Sequence, residues 1–139
     1  MRKFVSFATV AACALSFAVP AHAAGVSVGF GLSAGTHAPT EAACALSVAA
    51  GADGIAVLDA AVAKGCIRSY AVRHFSFGDF VSCIDDVCGA PPEAFGLTYW
   101  AMYENGAYTN YGVDGFSAAA GDALEFSYET WAPCLVVAC

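Results

Sequence analysis

The chain has 139 residues, 59% of them hydrophobic, and carries five Lys or Arg against twelve Asp or Glu, a net charge of −7. A surface this acidic repels phosphate backbones and anionic lipid, which argues against nucleic-acid binding. The length suits one domain built on one core.

In chain order, the N-terminus reads as a processing segment. Arg2 and Lys3 precede the apolar run Phe4 to Val19, Pro20 ends it, and Ala21-His22-Ala23 offers the small residues a signal peptidase reads. Residues 1–23 are therefore expected to be a signal peptide cleaved after Ala23. The run is too short and too abruptly ended for a membrane span. A competing pattern, Val10-Ala11-Ala12-Cys13, looks like a lipobox and would tie the protein to a membrane through a lipid on Cys13. The expected mature chain, residues 24–139, is a single domain, secreted, periplasmic or on the cell surface. Losing Arg2 and Lys3 leaves three basic residues (Lys64, Arg68 and Arg73) against twelve acidic ones, a net charge of −9.

Val26, Val28, Phe30 and Leu32 alternate with Ser27, Gly29, Gly31 and Ser33, a strand with one apolar face and one nearly bare face. Cys44, Leu46 and Val48 alternate in a second strand. Asp53 is placed to cap a helix over Ile55 to Lys64, in which Ile55, Leu58 and Val62 recur at helical spacing, and Gly65 suits its end. Tyr70, Val72 and His74 alternate with Ala71, Arg73 and Phe75. Phe80, Ser82 and Ile84 alternate with Val81 and Cys83, with a turn expected at Gly78-Asp79. Cys88 to Pro92 reads as a loop.

The clearest local signal is Asn105-Gly106, the favoured pair for a two-residue type I′ turn, in which both residues need positive φ. A two-residue loop predicts that Tyr103 faces Tyr108, Met102 faces Thr109, Ala101 faces Asn110 and Trp100 faces Tyr111. Trp100, Met102, Thr109 and Tyr111 then share one face, and Tyr99, Ala101, Tyr103, Tyr108 and Asn110 the other. After a turn at Gly121-Asp122, Leu124, Phe126 and Tyr128 are expected to point into the core, and Glu125, Ser127 and Glu129 to solvent. An amphipathic sheet covered on one face by a short helix is an α+β arrangement.

Six cysteines remain after cleavage: Cys44, Cys66, Cys83, Cys88, Cys134 and Cys139. An even count in a small exported domain predicts three disulfides. A structural zinc is the weaker alternative, because no paired histidines accompany the cysteines. Asp85-Asp86 lacks the ligand spacing of a calcium loop and reads as loop solvation. His37 and His74 have no nucleophile nearby in sequence, and neither a nucleophile elbow nor a phosphate-binding glycine loop is present, so the chain reads as non-catalytic.

The best binding candidate is the face carrying Tyr99, Tyr103, Tyr108 and Asn110. Tyrosines offer flat apolar area with a hydroxyl, which suits a corrin, a sugar ring or a protein partner. The alternative is that this face packs under the helix, leaving Trp100, Met102 and Tyr111 outside. The Ser27, Gly29, Gly31 and Ser33 strip either admits close approach by another surface or marks a bend.

Val57-Leu58-Asp59-Ala60-Ala61, Tyr99-Trp100, Asn105-Gly106, Gly112-Val113, Gly121-Asp122 and Glu125-Phe126-Ser127-Tyr128, in that order, resemble the transcobalamin-like C-terminal domain family. The resemblance runs from about Val26 to Trp131. It implies a β-grasp-like mixed sheet with one short helix on one face. In the larger members this domain closes over a cobalamin held against a helical barrel, which 116 residues cannot contain. Bacterial members occur as exported single domains or surface-protein modules without assigned activity. The resemblance thus implies a non-catalytic binding module for a corrinoid or other flat ligand, completed by a partner; no other cofactor is expected. The alternative is a structural or protein-interaction domain of the cell envelope. The cysteines are not part of the family pattern. On the implied topology, the helix runs back along the second strand, which returns Cys66 beside Cys44. Cys83 with Cys88 and Cys134 with Cys139 are the simplest remaining pairs.

Overall fold

The computed structural model describes residues 25–34, 44–90 and 98–130. Its elements in chain order are β1 (Gly25–Ala34), β2 (Cys44–Ala49), α1 (Gly54–Lys64), β3 (Tyr70–Phe75), β4 (Gly78–Ile84), β5 (Val87–Cys88), β6 (Thr98–Glu104), β7 (Ala107–Tyr108), a 3-10 turn (Val113–Gly115) and β8 (Ala123–Thr130). The main sheet has the order β2-β1-β8-β6-β7, and a second sheet has the order β3-β4-β5. The pair β1 and β8 is parallel, while their other neighbours are antiparallel, so the main sheet is mixed. This is the α+β class expected, with the correction that β3 and β4 stand apart in a sheet of their own.

Period-two alternation decides which face of the main sheet is buried. Val28, Phe30, Leu46, Val48, Leu124 and Phe126 all enter one core. Helix α1 covers that face through Val57, Leu58 and Ala61, with Ile55 and Val62 half-buried at its margins. Its ends are local chemistry: the Asp53 carboxylate accepts from the Ala56 N–H at 2.9 Å, and Gly65 takes the left-handed conformation that stops the helix. The helix runs back along β2, and Cys44 and Cys66 are bridged at a Cα separation of 6.2 Å. Cys83 and Cys88 face each other across β4 and β5 and form the second disulfide. Cys134 and Cys139 lie outside the described residues, as do the expected signal peptide, Cys13 and His37.

The hairpin register is as the turn chemistry predicts. Asn105 and Gly106 have φ of 51° and 80°, Tyr103 faces Tyr108, and the Thr109 N–H donates to the Met102 carbonyl at 3.0 Å. Strand β7 stops at Tyr108, however, so the expected pairs of Ala101 with Asn110 and of Trp100 with Tyr111 do not form. Tyr111 instead packs against the core and donates its hydroxyl to Glu104.

Three further differences have physical causes. The β3–β4 turn is Ser76-Phe77, and Gly78-Asp79 already belong to β4. The register between β3 and β4 shifts after Ala71, a bulge that leaves Ser82 outside the regular pairing. The extra residue lets Val81 and Ile84, an odd number apart, both point into the core, which simple alternation forbids. Ser127 is fully buried rather than solvent-facing, because it sits on the central strand between Ser33 and the equally buried Ala101.

Candidate ligand-binding cleft

The second sheet is fastened to the first by polar contacts at one end. The Trp100 indole N–H donates to the Val87 carbonyl at 3.0 Å, and the Ala90 N–H donates to the Thr98 carbonyl at 2.8 Å. The Tyr128 hydroxyl donates to the Cys88 carbonyl at 2.9 Å and meets the Thr98 hydroxyl at 2.8 Å. Gly89 permits this approach, since a Cβ there would lie 2.9 Å from the Thr98 oxygen. The Cys83–Cys88 bridge closes the same arm on itself.

Beside this joint lies an open cleft of about 270 Å³, with Gly89, Ala90 and Thr98 of the joint itself among its lining. One wall is Arg73, Phe75 and Phe80 of β3 and β4, and the other includes Tyr99 and Tyr108 of β6 and β7. Arg73 faces Phe80 directly across the β3–β4 pair. Phe80 meets Phe75 edge-on at 5.9 Å between ring centres, and the two are joined by Phe77, which is 71% exposed at the turn. Opposite them, Tyr103 and Tyr108 meet edge-to-face at 5.6 Å.

Glu129 orders the tyrosine side. It faces Tyr99 across β6 and β8 and accepts the Tyr103 hydroxyl at 2.7 Å, with the Tyr99 hydroxyl at 3.5 Å. The expectation that Glu129 simply points to solvent is thus corrected: it is half-buried and engaged. Burial, and then Tyr108 and Glu129 nearby, push the Tyr99 hydroxyl up to about 12. Burial, followed by its bond to Glu129, raises Tyr103 further. Both rings therefore remain neutral donors at ordinary pH.

Of the residues singled out from sequence, Tyr99 and Tyr108 line the cleft, Tyr103 braces Tyr108, and Asn110 is exposed and does not line it. Met102 is only 7% exposed and Trp100 packs against the core, whereas Tyr108 is 60% exposed, so the tyrosine face is the outer one. Asp85 and Asp86 are occupied otherwise than by solvent alone. The Asp85 carboxylate accepts the backbone N–H groups of Arg68 and Ser69 at 2.6 and 3.2 Å, and Asp86 pairs with the Arg68 guanidinium at 2.6 Å. Among the described residues, no cluster of three His, Cys, Asp or Glu could hold a metal ion. Arg73, Phe75 and Phe80 escaped the sequence reading. Their signal was an aromatic run, Phe75, Phe77 and Phe80, around a hairpin turn, where polar residues are usual.

The fold defines a class: a small disulfide-linked α+β domain whose first and last described strands pair in parallel at the centre of a mixed sheet. The particular solved protein it is similar to is haptocorrin, determined in complex with Cbi, at a TM-score of 0.64 and 18% identity over 84% of this chain. The chain spans 27% of that protein's length, and the likeness is one of fold, in agreement with the transcobalamin-like architecture expected from sequence. A putative metal binding protein from Ruminococcus gnavus ATCC 29149 aligns with 78% of this chain and 99% of its own at 13% identity and a TM-score of 0.48. No family model and no curated protein matches the chain.

Proposed function

We propose that the chain is an exported, non-catalytic binding module of the transcobalamin-like C-terminal domain family, comprising residues 24–139 after loss of a signal peptide, and that it holds a flat ligand of corrinoid type. The observation that carries this reading is the open cleft whose lining is aromatic, with Tyr99, Tyr108, Phe75 and Phe80 all contributing to it. Two disulfides support an oxidising compartment. The likeness to part of haptocorrin supports a corrinoid as the ligand. At about 270 Å³ the cleft is at the small end for a ligand pocket, so it covers one edge of a corrin and leaves the rest to a partner protein. Tyr103 and Asn110 extend the contact beyond the cleft. Phe77, exposed at the tip of the β3–β4 turn, favours a second reading in which the same edge docks an envelope protein.

Calorimetric titration of the mature protein with cobalamin tests the first reading. Binding is expected, weakened about tenfold or more by Tyr99→Ala or Tyr108→Ala, as for loss of a buried aromatic anchor. Absence of heat and of retained cobalamin absorbance with the unsubstituted protein would overturn it and leave the docking reading.

A further inference from the structure

We infer that the cleft selects a flat ligand bearing one anionic group, a carboxylate, sulfonate or phosphodiester, and that Arg73 is the residue that contacts it. The inference rests on the reading of the cleft as the ligand site and goes beyond it by assigning the charge of the ligand and the residue that reads that charge.

The described residues include three Lys or Arg, and two of them are already engaged. Lys64 donates to the Ala45 carbonyl, and Arg68 is held by Asp85 and Asp86. Arg73 alone among these three has no hydrogen-bond or ion-pair partner among the described residues, ten of which are Asp or Glu. Its neighbour His74 is paired with Asp79, so the nearest acid on the facing strand is committed elsewhere. Arg73 lines the cleft and pairs in register with Phe80, which gives an aromatic slot a planar five-donor fork. That fork matches the paired oxygens of a carboxylate or phosphate.

The other polar side chains of the lining, Ser82, Thr98, Tyr99 and Tyr108, carry no positive charge. Ser82 donates to the Ala71 carbonyl at 3.1 Å, Thr98 meets Tyr128, and Tyr99 is turned to Glu129. The acidic surface gives the selectivity its upper limit. A polyanion or an anionic bilayer meets the whole negative field, whereas a single anionic group at the Arg73 fork is bound at contact distance, where one adjacent cation outweighs distant, screened carboxylates.

Two fluorescent probes of nearly equal shape separate charge from ring contact: 1-anilinonaphthalene-8-sulfonate, an anion, and N-phenyl-1-naphthylamine, which is neutral. The mature protein is titrated with each, alongside Arg73→Gln, Arg73→Lys and Tyr99→Ala. Arg73→Gln is expected to weaken the anionic probe about tenfold, the low end for a charge-assisted bond at an exposed group. It should leave the neutral probe unchanged, and Arg73→Lys should restore part of the loss. Tyr99→Ala should weaken both probes. If Tyr99→Ala weakens both and Arg73→Gln moves neither, the anion assignment is wrong while the cleft stands. If Tyr99→Ala is silent for both, the cleft itself is not the site and both readings fall. Because Arg73 is exposed and has no partner among the described residues, its substitution is expected to leave folding intact, which matched thermal melts verify.

Discussion

Glu129 and the tyrosines around it show how one carboxylate can order a surface. The Tyr103 and Tyr99 hydroxyls converge on it from one strand, and on the opposite side of β6 the Tyr111 hydroxyl is given to Glu104. Tyr111 is pushed up to about 12, first by that bond and then by burial, and Tyr70 to about 12 by burial and then its bond to Asp59. A free tyrosine ionises near pH ~10. Below that pH both folded and unfolded chains hold these protons and the stability is complete. Above it the unfolded chain releases them first, so stability falls as pH rises from about 10 toward 12. The urea midpoint should therefore be flat up to about pH 9.5 and decline beyond it, with phenolate absorbance near 295 nm appearing late. Tyr99→Phe with Tyr103→Phe should flatten part of the decline. A midpoint unchanged at pH 11.5 would show that these hydroxyls gain nothing on folding.

At the scale of elements, the helix and the 3-10 turn meet more closely than side chains allow. A Cβ on Gly54 would lie 2.7 Å from the Val113 carbonyl oxygen and 3.0 Å from the Val113 Cβ. Intrinsic propensity alone would make Gly54→Ala stabilising by up to about 1 kcal/mol. Contact with a backbone atom reverses the sign, and a loss of about 2 kcal/mol is expected from thermal or urea unfolding. Gly112 is held in the same way, with a Cβ there meeting the Asp79 backbone nitrogen at 2.6 Å. These two glycines set α1, the turn and β4 against one another, and through β4 they position the Phe80 wall of the cleft.

For the whole molecule, the disulfides divide their roles. Cys44–Cys66 spans 22 residues and ties the main sheet to the end of the helix; Cys83–Cys88 spans five and braces the arm that joins the two sheets. Loop-closure entropy makes the first worth roughly 3 kcal/mol and the second roughly 2 kcal/mol. Replacing Cys44 and Cys66 by Ala should therefore lower the denaturation midpoint more. Replacing Cys83 and Cys88 should weaken probe binding at the cleft more than its smaller stability cost implies, because the joint beside Thr98 and Tyr128 loosens. Equal losses of binding in the two double variants would remove that division.

What the sequence determined by itself was local. Alternation in β1, β2 and β8, the Asp53 and Gly65 caps and the Asn105-Gly106 turn each depend on residues a few positions apart, so their physics can be read along the chain. The tyrosine face was legible for the same reason, since a two-residue turn imposes the register. Tertiary structure decided the rest. The bulge at Ser82 cancels the alternation of β4 in order to bury both Val81 and Ile84, and no local rule calls for it. The cleft exists because the two sheets meet beside the Gly89–Thr98 joint, which brings Arg73, Phe75 and Phe80 to one site with Tyr99 and Tyr108. That Arg73 lacks a partner among the ten carboxylates of the described residues is a property of packing among distant segments that pattern and propensity do not encode.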